Sequence, residues 1–298
     1  MNTGNPLRSG CIVAAHGRQC RVELENGDVL PCLTRGKKSE AVCGDAVFIR
    51  STGENQGVIE EIRPRRTLFY RSNAFRQKLI AANVDQLILV AAVEPAFSTQ
   101  LLERCLIAAE SQNIAALIVL NKCDLTLALP AAQERLRPFA ARGCAILNLA
   151  ARQDASAAVA QIVPHLRGKT SLLAGQSGMG KSTLINALIP AAAAATREIS
   201  AALDSGKHTT THARLYHLDA ESHIIDSPGL QEFGLAHLTP EALTRAFPEF
   251  APYRGDCRFR DCRHQQEPGC ALQNAVANGN IAPERLRLFQ TLMAEHPR

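Results

Sequence analysis

Up to about Arg71, apolar and polar residues alternate in short runs, CIVAAHG, QCRVELENGD, VLPCL, DAVFIR and QGVIEEI. A period of two puts one face of each run in a core and the other in solvent, so these segments predict β-strands. Asn26-Gly27 lies between two of them and predicts a tight hairpin. Several short strands at this spacing imply a small β-barrel of the OB type. From Val84 the texture changes. The continuous apolar runs DQLILVAAV, AALIVL, CAILNL and TSLLAG read as fully buried strands. Helical patterns over Thr99–Gln112, Ala131–Ala141 and Ala155–Leu166 separate them, which predicts a parallel sheet with helices on both faces. Beyond Asp226 the chain is helical apart from a Cys/His-rich stretch, and the alanines at 191–195 read as the edge of a mobile loop. The expected fold is multidomain α/β.

Composition narrows the function classes. The chain has 298 residues, 46% of them hydrophobic and 20% charged, which excludes wholesale disorder. The first residues lack an apolar core segment, so a secretory signal is not expected. The run from Ala187 to Ala195 is interrupted by Pro190 and is far short of the roughly 20 residues a membrane span needs. Ten cysteines without an export signal point to a cytoplasmic protein in which clustered thiols bind metal. Cys11, Cys20, Cys32 and Cys43 are too evenly spread for that and are read as small core residues. The net charge of +5 is carried by the first quarter, and Arg63 to Lys78 holds six basic residues and no acid. Such a run is either a solvated linker or a phosphate-facing strip.

Three short motifs carry the chemistry. Gly175-Gln176-Ser177-Gly178-Met179-Gly180-Lys181-Ser182, followed by Thr183, sits between an apolar strand and a helical run and matches GxxxxGK[ST]. In that setting backbone N–H groups curl around a β-phosphate, Lys181 reaches the β/γ oxygens and Ser182 ligates Mg²⁺. Asp226-Ser-Pro-Gly229, 51 residues after Gly175, supplies a strand-end carboxylate for Mg²⁺ and a glycine N–H for a γ-phosphate. Asn121-Lys122-Cys123-Asp124 follows another strand; a carboxylate there accepts the two N–H groups of a guanine edge, which adenine lacks. Sites built to bond a group reject analogues without it by roughly 10⁴-fold, so the nucleotide is GTP. NKCD precedes the P-loop, and circular permutation accounts for that order. In Gly206-Lys-His208-Thr209-Thr210-Thr211 one threonine, Thr210 being favoured, is expected to ligate Mg²⁺ and cap the γ-phosphate. Leu230 stands where a water-orienting Gln is found in Ras-like enzymes, and a hydrocarbon cannot orient water. His208, Gln231 or a partner's group would have to do so; Lys181, Thr210 and His208 form the catalytic set.

Cys257, Cys262, His264 and Cys270 supply three thiolates and an imidazole within fourteen residues, the complement of a closed, structural Zn²⁺ site. His217, His223 and His237 have no Cys nearby and are not expected to be ligands.

The assembled features, including GCIVAAHGRQCRVEL, GKHTTTHARLY, IIDSPGLQEFGL and CRFRDCRHQQEPGCALQNAVANGNI, resemble the circularly permuted GTPases of the small ribosomal subunit biogenesis (RsgA) family. The resemblance implies an OB-fold on ribosomal RNA, a permuted GTPase domain and a helical zinc domain, placed here at 1–71, 72–234 and 235–298. It also implies GTP hydrolysis stimulated by the small ribosomal subunit during its late maturation. GTP and Mg²⁺ are expected to order the loop from Thr196 to Thr211. A monomer is expected. Two alternatives stay open at this point: a GTP-dependent RNA-binding switch with negligible hydrolysis, and a zinc-delivery or nucleic-acid-regulatory protein with an accessory NTPase. The Ser-Ala motif that supports guanine in relatives is Ala150-Ala151 here, which keeps the backbone N–H.

Overall fold

The computed structural model describes residues 6–35, 40–53, 55–73, 76–190, 192 and 213–295. Five strands, β1 (Leu7–His16), β2 (Gln19–Leu24), β3 (Val29–Thr34), β4 (Ala46–Gly53) and β5 (Gln56–Ile62), form the N-terminal unit. They run in the order β1-β2-β3-β5-β4, and β4 returns to pair with β1, closing the expected barrel. The β3–β5 pair is parallel and the other pairs are antiparallel. Gly27, at φ 84°, makes the β2–β3 turn that Asn26-Gly27 signals. Inward positions Ile12, Val22, Leu24, Val47, Ile49 and Ile59 fill the barrel. Cys20 and Cys32 face each other in that core, and burial pushes both thiols up to about 11. Cys43 is buried and Cys11 half-buried.

β6 (Leu68–Ser72) and β7 (Gln77–Ala82) make a separate two-stranded hairpin whose Phe69 and Ile80 belong to the larger core. That core is built on β8 (Gln86–Ala92), β9 (Ala115–Asn121), β10 (Ala145–Asn148), β11 (Thr170–Ala174), β12 (Arg214–His217) and β13 (His223–Asp226). The order is β10-β9-β8-β11-β13-β12, parallel except for β12. All seven residues of β8 are buried, as its unbroken apolar run requires. One antiparallel pair, Ala14 with Arg214, joins the barrel to this sheet just past a bulge in β1.

Helices α1 (Thr99–Ser111), α2 (Leu129–Ala141), α3 (Ala155–Leu166) and α4 (Lys181–Leu188) alternate with the strands. Ser98 and Asp154 cap α1 and α3, each accepting a backbone N–H one turn in. Helix α2 starts two residues before the periodic pattern does, because Pro130 is preorganised for a first turn. The C-terminal part holds α5 (Pro240–Arg245), a 3₁₀ turn (Pro248–Tyr253), α6 (Ala271–Ala277) and α7 (Pro283–Ala294). Phe247, Phe250 and Phe289 pack ring on ring at 5.0–5.2 Å and merge this part with the α/β core. Among the described residues no helix is long and apolar enough to cross a membrane.

Candidate nucleotide site and metal centre

The three motifs lie far apart in sequence but follow β9, β11 and β13, at the carboxyl ends of parallel strands. That edge is where open α/β sheets bind ligands. Gly175 and Gly180 adopt φ 152° and 92°; a Cβ would stand 2.3 Å from the Val90 carbonyl oxygen at the first and 2.2 Å from Asn121 Nδ2 at the second. Only glycine lets the loop come this close to its neighbours. The Lys181 ammonium donates to the carbonyls of Gly175 and Gln176 at 2.8 and 2.9 Å, so it lies across the loop it serves. Burial lowers its pKa, and the charge of Asp226 opposes that. Asp226, 5% exposed, ends β13 in register with Leu173 of β11. The next turn is held to the loop by Ser227 Oγ donating to the Leu173 carbonyl at 2.8 Å and the Leu230 N–H donating to that of Gly175 at 3.0 Å. Leu230 is buried, whereas Gln231 is exposed.

A cavity of about 480 Å³ runs along this edge. It is lined by Asn121, Lys122 and Asp124, by Ser177, Gly178, Gly180, Lys181, Ser182 and Thr183, and by Gly229. The structure thus brings one residue set from each motif to one wall. Asn121 is the joint: its Nδ2 donates to the Met179 carbonyl and its Oδ1 accepts from Ala151 N–H, both at 3.1 Å. Lys122, at φ 61°, donates to the Glu94 carbonyl at 2.7 Å. Cys123 points elsewhere, its thiol donating to the Leu120 carbonyl, and the Met179 side chain is in the core. The Gln176 carboxamide accepts from Ser98 N–H at 2.6 Å. Arg152 and Leu125 also line the cavity; the sequence reading passed over both, although Arg152 directly follows Ala150-Ala151. Hard oxygen donors, the Ser182 hydroxyl and the Asp226 carboxylate, suit Mg²⁺ at the phosphate end. His208 and Thr209, Thr210 and Thr211 lie outside the described residues, as does nearly all of the 191–212 stretch.

In the C-terminal part, the ligand atoms of Cys257, Cys262, His264 and Cys270 all lie within 4.8 Å of one another. His264 Nδ1 is 3.6, 3.7 and 3.4 Å from the three sulfurs in that order. Zinc bonds of about 2.3 Å to sulfur and 2.0–2.1 Å to nitrogen give a tetrahedron with N···S edges of roughly 3.5 Å, so the cluster fits Zn²⁺. The fold supports it: Ala271 N–H points at Cys257 Sγ (3.4 Å), and Glu267 accepts the N–H groups of Arg263, Gln265 and Gln266. His217 and His223 instead bond each other, at 2.9 Å, and His237 bonds Ser72.

The basic run Arg63–Lys78 is not one uniform surface. Arg65 forms a two-pronged pair with fully buried Asp45, at 2.7 and 2.8 Å. Arg66 pairs with Asp85, and Arg71 donates to the Glu232 carbonyl. These three bind parts of the fold together, Arg66 from an exposed position; Arg63, Arg76 and Lys78 are exposed too.

Comparison with known proteins agrees with this geometry. Residues 62–236 match the family model described as RsgA GTPase. A Burkholderia pseudomallei protein named small ribosomal subunit biogenesis GTPase RsgA is 53% identical over 98% of this chain and 93% of its own length. A Nitrosospira multiformis protein of the same name is 52% identical over 98% and 92%. Among solved structures, YjeQ from Thermotoga maritima superposes with a TM-score of 0.67 at 29% identity, covering 97% of this chain and 98% of its own. YloQ, described as a circularly permuted GTPase, gives 0.64 at 27%, covering 100% and 99%.

Proposed function

Because the chain belongs to the small ribosomal subunit biogenesis GTPase (RsgA) family, we propose that it binds and hydrolyses GTP in the cavity between NKCD, the P-loop and DSPG, and that it serves maturation of the small ribosomal subunit. The observation that carries this is the meeting of Asp124 and Lys181 in one cavity although their motifs stand in inverted order. Asp124 accepts the guanine N–H groups, and Asn121 fixes the distance between that end and the phosphate end. The loop N–H groups and Lys181 hold the β- and γ-phosphates. Mg²⁺, held by Ser182, Thr210 and Asp226, would neutralise charge on the phosphate oxygens. Gly229 offers an N–H to the γ-phosphate. Buried Leu230 cannot orient water, so His208, Gln231 or a group on the subunit must, and turnover by the chain alone is slow. Zinc on Cys257, Cys262, His264 and Cys270 is structural.

The barrel, with exposed Arg63, Arg76 and Lys78 nearby, faces ribosomal RNA; the units are 1–71, 72–234 and 235–298. The protein acts as a cytoplasmic monomer. GTP turnover with and without purified small subunits tests the function. Acceleration by the subunits supports it, and none, or ATP bound as tightly as GTP in calorimetry, would sink it.

A further inference from the structure

Arg104 lies in the middle of α1, its side chain only 14% exposed, and serves three acceptors at once. Its guanidinium makes a two-pronged pair with Glu295, at 2.7 and 2.5 Å, and also donates to the Phe233 carbonyl at 3.3 Å. Those acceptors belong to different machines. Phe233 is in the segment that leaves the DSPG turn, three residues past Leu230, whose N–H bonds the first P-loop glycine. Glu295 caps α7, and α7 reaches the metal cluster through Gln290, which donates to the His264 carbonyl. The neighbouring Glu103 accepts from Arg285 of α7 at 2.8 Å. Two successive residues of α1 therefore grip α7 at points ten residues apart, about 15 Å along its axis. The start of α1 is fixed as well, since Ser98 N–H donates to Gln176 of the P-loop.

We propose that Arg104 is a positioning residue for GTP hydrolysis, transmitting the seating of the zinc-bearing C-terminal part to the segment behind the DSPG turn. This rests on the functional reading above. The chemistry requires arginine: a rigid fork can satisfy a carboxylate with two N–H groups and still offer one to a carbonyl, whereas an ammonium on a flexible stem is a point charge. Glu295 holds the guanidinium, the guanidinium holds Phe233, and Phe233 limits where Gly229 and Leu230 sit against Gly175. Arg104 touches no substrate, so its effect falls on the chemical step more than on nucleotide capture.

The test compares full-length, zinc-loaded Arg104→Lys, Glu295→Gln and the double variant with the parent chain. GTP turnover in the presence of purified small subunits and hydrogen exchange at the Leu230 amide are measured. Arg104→Lys should lower kcat about fivefold with KM within about twofold, a size usual for coupling through one polar node. Glu295→Gln should act in the same direction more weakly, and the double variant should fall no further than Arg104→Lys alone. The Leu230 amide should exchange faster in each. Unchanged kcat overturns the proposal, as does a loss of kcat accompanied by zinc escaping to a chromogenic chelator, which would make Arg104 merely structural. Exchange needs no substrate. A parent chain without GTPase activity even in the presence of purified small subunits would sink the functional reading, and the Leu230 exchange rate would then decide the role of Arg104.

Discussion

Adding one methyl group at Gly180 should break the joint between the guanine and phosphate ends. Gly180 precedes α4 at φ 92°, where an alanine is disfavoured by about 1–2 kcal/mol. Strain is the smaller part. The new Cβ would stand 2.2 Å from Asn121 Nδ2, at least 1 Å inside contact distance, so the carboxamide must leave. Asn121 is 2% exposed, and its departure strands the buried Met179 carbonyl and the Ala151 N–H. Each stranded group costs about 1–3 kcal/mol. Gly180→Ala should therefore destabilise the protein by about 3–8 kcal/mol in all. Gly178→Ala is the control: φ is 81°, but the nearest atom to its Cβ is Pro95 Cγ at 3.5 Å, so only the strain of about 1–2 kcal/mol remains. Denaturant unfolding of both variants, repeated in an Asn121→Ala background, separates strain from displacement. With the carboxamide gone, Gly180→Ala should become no worse than Gly178→Ala, leaving a coupling of about 2 kcal/mol or more. Equal costs for the two glycines, or additivity with Asn121→Ala, would refute the claim that Asn121 is what the loop leans on.

Asp124→Ala should weaken GTP binding by roughly 10³-fold or more while leaving weak ATP binding unaltered, as calorimetry with both nucleotides would show. Cys257→Ser should release zinc to a chromogenic chelator and loosen α6 and α7, seen as faster hydrogen exchange there, with β8 and β9 unchanged. Asp219, which turns β12 into β13, accepts the N–H of Glu221 and then that of Ser222, and these bonds hold its carboxyl below the ordinary 3.8. A depressed carboxylate stabilises above its unfolded pKa and loses that contribution as pH falls through the folded one. The gap in melting temperature between the parent and Asp219→Asn should thus be flat above 3.8 and close below it; a gap growing on acidification would contradict this.

Much of the site was legible because its chemistry needs particular residues at short spacing. The glycines of the P-loop, the Asp of NKCD and the four metal ligands each stand within a few residues of their partners, so local sequence carries them. Strand identity was equally plain: the apolar run of β8 admits one environment, and the alternation of β2 and β3 another. Arg152 was not legible, since a lone arginine after two alanines looks like any solvated residue until the fold sets it in the lining of the cavity that also holds Asp124. The basic run was misleading in bulk, because charge counting cannot tell an arginine on a buried aspartate, such as Arg65, from one facing water.

By itself the chain determined the barrel strands, the buried strands of the central sheet and the helices between them, though not the β6–β7 hairpin or β12, and also which short motifs hold phosphate, guanine and zinc, and that their order is permuted. Periodicity and steric need act over a few residues and are written where they act. Tertiary structure alone decided that Asn121 spans to Met179, that Arg65 is bound to Asp45, and that Arg104 reaches Phe233, 129 residues on, and Glu295, 191 residues on. Such pairings depend on how sheet and helices stack, and a polar side chain has no sequence signature for a partner that packing brings to it.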